Sequence, residues 1–255
     1  MVEQIEIGDG YAVAHRQSQG GTAGRVLVVP PFGVPAAVLE FVGDELASHG
    51  FESIVLDVRN HVGDGSGRMR DYRVSSVVED CRTAIERYQP TAVVGLSLGA
   101  RALLRAVSTT RISPTAVLVI PVVDLRSTLS TVLGWDVVTR VDLPETERVL
   151  GHRVNAPAFV NDAVLHDLLS TTGTARDLAD HGGRVTLLPA DADPWVDLDM
   201  VKSVADSAWA SGASVDVVPV PGDQHELHKH PELALRMIGA LVNEVVRSHR
   251  LVVAA

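Results

Sequence analysis

Runs of aliphatic residues with few polar positions fall at 25–29, 53–57, 91–96 and 114–120. Runs of that length without alternation read as strands buried on both faces, as in a parallel sheet covered by helices. Between them, 36–49, 74–88 and 98–105 carry apolar residues three and four apart, the spacing of helices with one buried face, and Gly50 stops the first. Residues 3–17 alternate through Ile5, Ile7, Tyr11 and Val13 around Gly8-Asp9-Gly10, which predicts an opening hairpin closed by a turn at 19–24. Later, 184–188 and 215–220 read as strands, and 197–210 and 231–246 as helices. The strands at 114–120 and 184–188 are separated by a segment with candidate helices at 125–133, 144–150 and 161–169, too long for a plain connection and too structured for a linker. The pattern predicts an α/β fold: a mostly parallel central sheet with helices on both faces, its core at 1–123 and 182–255, and a helical lid insertion at 124–181.

Composition narrows the class. The chain has 255 residues, 46% of them hydrophobic and 21% charged, enough for one large α/β domain. No uninterrupted apolar run has the length of a membrane span, and the first residues lack a basic segment followed by an apolar block, so no membrane span and no secretory leader are expected. The single cysteine, Cys81, excludes an intramolecular disulfide and makes a cytoplasmic location the default expectation. A net charge of −10 argues against nucleic acid as a partner. Lys202 and Lys229 are the only lysines, so 20 of the 22 basic residues are arginine. Arg68, Arg70 and Arg73 could meet an acidic carrier or a phosphate, or form an ordinary solvated loop.

The chemistry concentrates where strand 91–96 meets helix 98–105. Gly95-Leu96-Ser97-Leu98-Gly99 is a G-x-S-x-G sequence with a strand entering it and a helix leaving it, the context of a nucleophile elbow. The turn brings positions 95 and 99 against each other, so both must be small. The helix N-terminus favours negative charge developing at whatever Ser97 attacks. A carboxylate is expected after the strand at 184–188 and a histidine after the last strand. Asp193 is the candidate acid, with Asp191 as the alternative, and His225 is the candidate base. The order Ser97, Asp193, His225 is that of the α/β-hydrolase fold. In that fold the loop after strand 25–29 donates an N–H to the oxyanion. Pro31 has none, so Phe32 or Gly33 must supply it, with Leu98 as the second donor. His225, His228 and His230 make a poor metal set, so neither a metal nor another cofactor is expected. The glycine-rich loop 59–67 lacks the P-loop lysine and reads as a shaped loop, with His61 and Asp64 bracing it. Leu125, Leu129, Leu133, Trp135 and Trp195 could line an acyl pocket under the lid.

Several stretches resemble the acyl-transferase of bacterial luminescence systems, an acyl-carrier-protein thioesterase: VVPPFGVPAAVLEFVGDELASHGF, DVRNHVGDGSG, PVVDLRSTLSTVLGWD, DADPWV and PGDQHEL. The resemblance implies that Ser97, Asp193 and His225 form the triad. It also implies a substrate that is an acyl thioester on acyl carrier protein or coenzyme A, with a fatty or polyketide-type chain, and water or another nucleophile as acceptor. A carboxylesterase for small esters is the alternative enzyme, and a non-catalytic binding protein on the same fold the alternative from another class.

Overall fold

The protein is described from a computed structural model that covers residues 1–8, 10–21, 23–140 and 142–254. The elements are β1 (Val2–Ile7), β2 (Gly10–Gln17), β3 (Gly24–Val29), α1 (Glu40–Ser48), β4 (Phe51–Asp57), α2 (Val74–Tyr88), β5 (Ala92–Leu96), α3 (Leu98–Ser108) and β6 (Thr115–Val119). Then follow α4 (Leu125–Leu133), β7 (Glu147–Val149), β8 (His152–Val154), α5 (Ala156–Leu165), α6 (Thr171–Asp180), β9 (Arg184–Leu188), α7 (Leu198–Ala210), β10 (Ser214–Val217) and α8 (Pro231–Ala254). The main sheet has the order β1-β2-β4-β3-β5-β6-β9-β10, antiparallel at β1-β2 and β2-β4 and parallel from β4 onward.

Side-chain alternation on the central strands sorts two cores. Leu27, Ile54, Val93 and Leu118 point to one face, where α2, α3, α6 and α7 cover them. Val26, Val28, Val94 and Val117 point to the other, covered by α1 and α8 through Val42, Leu46, Met237 and Leu241. Both faces being buried explains why these strands lack polar positions.

The expected strands and helices of the core are present with ends shifted by a few residues. Residues 36–39 form a 3-10 turn before α1, and α8 runs on to Ala254, well past 246. Asp9, at the centre of the expected hairpin turn, lies outside the described residues. The segment between β6 and β9 differs more. Helix 125–133 is present as α4, capped by Asp124, whose carboxylate accepts the Ser127 N–H at 2.9 Å, and ended by Gly134 in the left-handed region. The expected helix 144–150 is instead the hairpin β7–β8. Residues 150–151 turn it, both with positive φ, and short strands joined by two such residues favour a hairpin over a helix. The helix expected at 161–169 begins earlier, because Asn155 caps it at the Ala158 N–H and Pro157 fits its first turn. α6, capped by Ser170, was not anticipated.

α6 is anchored to the elbow helix by charge. Arg101 of α3 is completely buried and donates to Asp177 at 2.7 Å, and Arg105 donates to the same carboxylate at 2.8 Å. Arg70 pairs with Glu145 and Arg73 donates to the Tyr72 carbonyl, so two of the three clustered arginines are engaged within the chain. No described helix is long and apolar enough to cross a membrane.

Removing the acid from this buried cluster strands the Arg101 guanidinium. Asp177→Ala should therefore lower the unfolding free energy by about 3 kcal/mol in urea titrations.

Candidate active site

Ser97 occupies the junction of β5 and α3 with φ 51° and ψ −120°, a conformation rare for a side-chain-bearing residue. It is held there by its N–H on the Val119 carbonyl at 3.0 Å and by its own carbonyl, which accepts from Ala100 at 3.1 Å. The flanking glycines answer to separate neighbours rather than to each other. A Cβ at 95 would come within 2.6 Å of Ala100 Cα, and one at 99 within 2.2 Å of the Pro30 carbonyl oxygen. Gly99 therefore lets α3 approach the loop that follows β3.

Asp193 and His225 converge on Ser97 from the loops after β9 and β10. The Ser97 hydroxyl lies 2.6 Å from His225 Nε2, and His225 Nδ1 lies 2.7 Å from Asp193 Oδ2. With Nδ1 donating to the carboxylate, Nε2 is free to accept from the serine. The other Asp193 oxygen accepts the N–H groups of Trp195 and Val196 at 2.8 and 3.1 Å, which fixes the carboxylate from behind. Asp191 points elsewhere. It is exposed and accepts the Gly222 N–H at 2.9 Å, bracing the loop that carries the histidine. The Trp195 ring lies 4.6 Å from the imidazole of His225. His228 is exposed and His230 half-buried, neither joined to His225; among the described residues the only trio with metal-ligand spacing is His15, Asp57 and Asp64.

The structure separates Phe32 from Gly33 as an N–H source. The Gly33 N–H is consumed by His61 Nε2 at 2.7 Å, whereas the N–H groups of Phe32 and Leu98 have no acceptor among the described residues. His61 is buried, and that burial pushes its imidazolium pKa down to about 4, so the ring stays neutral and Nε2 remains an acceptor. Asp57, at the end of β4, fixes the same loop farther along by accepting the Ala36 N–H at 2.7 Å. Its second oxygen takes the Asp64 N–H and faces His15 Nε2 at 2.9 Å. Gly63 lets the glycine-rich loop close over this carboxylate, since a Cβ there would sit 2.1 Å from Asp57 Oδ1. The sequence indicated that His61 braces a loop; that the braced loop is the one carrying Phe32 depends on a long-range contact with no local signal.

Two cavities meet at Ser97. The larger, about 160 Å³, runs between α1 and α8. The smaller, about 40 Å³, lies beneath α4 and α5. Phe32, Leu150, Trp195 and His225 line both. Leu125 and Leu129 line the smaller one. Leu133 and Trp135 line neither; they pack against the core, with the Arg140 guanidinium 4.3 Å above the Trp135 ring.

Comparison with known proteins gives the family and the fold. The profile of the family described as "Acyl transferase" matches residues 32–231. An acyl transferase of Aliivibrio fischeri is 25% identical over 193 residues, covering 73% of this chain and 62% of the relative. The chain thus spans less than two thirds of that relative's length. Among solved structures, ferulic-acid-bound Est1E from Butyrivibrio proteoclasticus superposes with a TM-score of 0.76 at 14% identity, over 96% of this chain and 99% of that one. A thioesterase domain from the curacin biosynthetic pathway gives 0.66 at 16% identity, over 97% and 99%. At such identities these two likenesses establish the shared α/β-hydrolase architecture.

The His61 contact has a pH signature. The unfolded chain binds a proton at His61 below about 6.5, the folded chain only below about 4, so the folded state loses stability as pH falls through that window. Relative to His61→Gln, which does not titrate, the protein should lose about 3 kcal/mol between pH 7 and pH 4 in paired urea titrations.

Proposed function

The chain belongs to the acyl transferase family, and from that premise we propose that it is a serine acyl-thioesterase or acyltransferase working through an acyl-Ser97 intermediate. The observation that carries this reading is the unbroken hydrogen-bond line from Asp193 through His225 to Ser97 beside two unengaged N–H groups. His225 Nε2 takes the Ser97 proton as Oγ bonds to the acyl carbon, and Asp193 holds the tautomer and stabilises the imidazolium. The oxyanion is met by the N–H groups of Phe32 and Leu98. Collapse breaks the bond to the leaving thiolate, which takes the proton back from His225. Water, or another nucleophile deprotonated by His225, then attacks the acyl-enzyme, the acyl–Oγ bond breaks, and His225 returns the proton to Ser97 Oγ.

The donor in this reading is an acyl thioester of acyl carrier protein or coenzyme A. It is supported by the resemblance of the loops around 32, 60, 125, 193 and 225 to carrier-protein thioesterases. Residues 124–181 act as the lid, in keeping with Leu125, Leu129 and Leu150 lining the space beside the nucleophile. The reading includes a cytoplasmic location, for which the buried, unpaired Cys81 is the support. A complete triad geometry disfavours a silent binding protein.

Brief mixing with acyl-coenzyme A, acyl carrier protein thioesters and simple esters, followed by intact-protein and peptide mass spectrometry, tests this. An acyl adduct should map to Ser97 and be strongest with a thioester. Ser97→Ala should lose turnover by about 10⁴-fold or more with an unchanged circular dichroism spectrum. His225→Gln should lose activity comparably, whereas His228→Gln should retain it. Labelling by short esters alone would favour the carboxylesterase, and turnover surviving Ser97→Ala would refute the mechanism.

A further inference from the structure

We propose that the acyl chain of the substrate lies in the groove between α1 and α8, and not in the space under α4. The inference rests on the reading of Ser97 as the nucleophile and adds where the chain goes. Size decides first. The space under α4, about 40 Å³, is well short of the roughly 150 Å³ of an apolar cavity that takes a whole aromatic ring. The α1–α8 groove offers about 160 Å³ and begins at Ser97 and His225.

The groove also has a long apolar wall along which a chain can lie. The walls and floor are apolar: Val42 on α1, Ala234, Met237 and Ile238 on α8, and Leu96 and Ile120 at the strand ends. Polar side chains enter it at Ser97, from the start of β8 as His152, and from the loop after β10 as His225, Glu226, His228 and Lys229, with Glu226 accepting from Lys229 Nζ at 2.7 Å. A chain extending from the acyl carbon along α1 and α8 would run along the apolar wall, away from the loop after β10. Val38 and Phe41, which also line the groove, are 41% and 45% exposed, so this side opens to solvent and a longer chain has somewhere to continue. Exposed apolar side chains bordering an apolar cleft are the surface a hydrocarbon covers.

Backbone strain points to the same wall. Ile120, directly after β6, has φ 41°, a region that a β-branched residue rarely occupies. Its N–H is held by the Leu188 carbonyl at 2.8 Å, and its side chain lines the groove beside Ser97. Strain at a site-lining residue persists where the surrounding structure enforces it.

The test measures kcat/KM for 4-nitrophenyl acetate and 4-nitrophenyl dodecanoate in the full chain, in Ala234→Trp and Ile238→Trp, which fill the groove from half-buried positions, and in Val132→Trp, which fills the space under α4. Each buried methylene contributes roughly fourfold to binding, so either groove variant should lower the dodecanoate-to-acetate ratio at least tenfold. Val132→Trp should leave the ratio within about twofold. A ratio that falls in Val132→Trp and holds in both groove variants would overturn the assignment while leaving the Ser97 mechanism standing. Equal loss on both esters in both groove variants, with the ratio unchanged, would also overturn it. Absence of Ser97-dependent turnover of either ester would remove the mechanism itself, and the assignment with it.

Discussion

The backbone at Ser97 is the constraint on which the site depends. A serine with positive φ at the end of a parallel strand must be imposed by its surroundings, at a cost of order 1–3 kcal/mol. β6 supplies an acceptor for its N–H, the start of α3 supplies a donor for its carbonyl, and two positions without Cβ let the helix settle close enough for both. Gly99 also brings α3 against the Pro30 carbonyl, so the same approach that raises the serine sets the distance to the loop carrying Phe32.

Around that point the molecule is divided by its own sheet. Alternation along β3, β5 and β6 assigns neighbouring residues to opposite cores, and each core ends in its own cavity at the carboxyl edge. Ser97, Phe32, Leu150, Trp195 and His225 stand on the boundary and face both. The hydrogen-bond line to Asp193 needs one acid, one histidine and two loops of suitable length, while the apolar volumes are made by helices packed on the two faces. Chemistry and shape are thus built from different parts of the chain.

That division also separates what the sequence makes legible from what it does not. Ser97 is visible because the elbow is local: strand, small residues and helix are adjacent in the chain. Asp193 and His225 follow from strand order once Ser97 is located, yet the choice between Asp191 and Asp193 turns on which carboxylate aims inward, and only the fold supplies that. The hairpin at β7–β8 was hidden because its two strands have three residues each, too short for a period of two to stand out from a helical turn. The pairing of His61 with Gly33 and of Asp57 with Ala36 joins residues 28 and 21 positions apart, leaving no trace in local pattern. The candidate pocket residues divide for the same reason. Leu125, Leu129, Leu133 and Trp135 share one helical stripe and the turn after it, but a stripe does not say which of its members meets open space and which meets another side chain.

The separation of groove walls from reactive groups bears on how such a protein changes over generations. Among the described residues α1 and α8 contribute no hydrogen bond to Ser97, His225 or Asp193, so a substitution at Val42, Ala234 or Ile238 reshapes the groove without removing a partner of these three residues. On the proposed reading, a duplicated copy could drift toward another substrate through aliphatic exchanges in the groove while keeping Ser97, His225 and Asp193 in place. The loop held by His61 and Asp57 has no such freedom, because exchanging either side chain releases the N–H of Gly33 or Ala36, within a few residues of Phe32. On that reading the groove is what can vary and the surroundings of Ser97 are what must be kept.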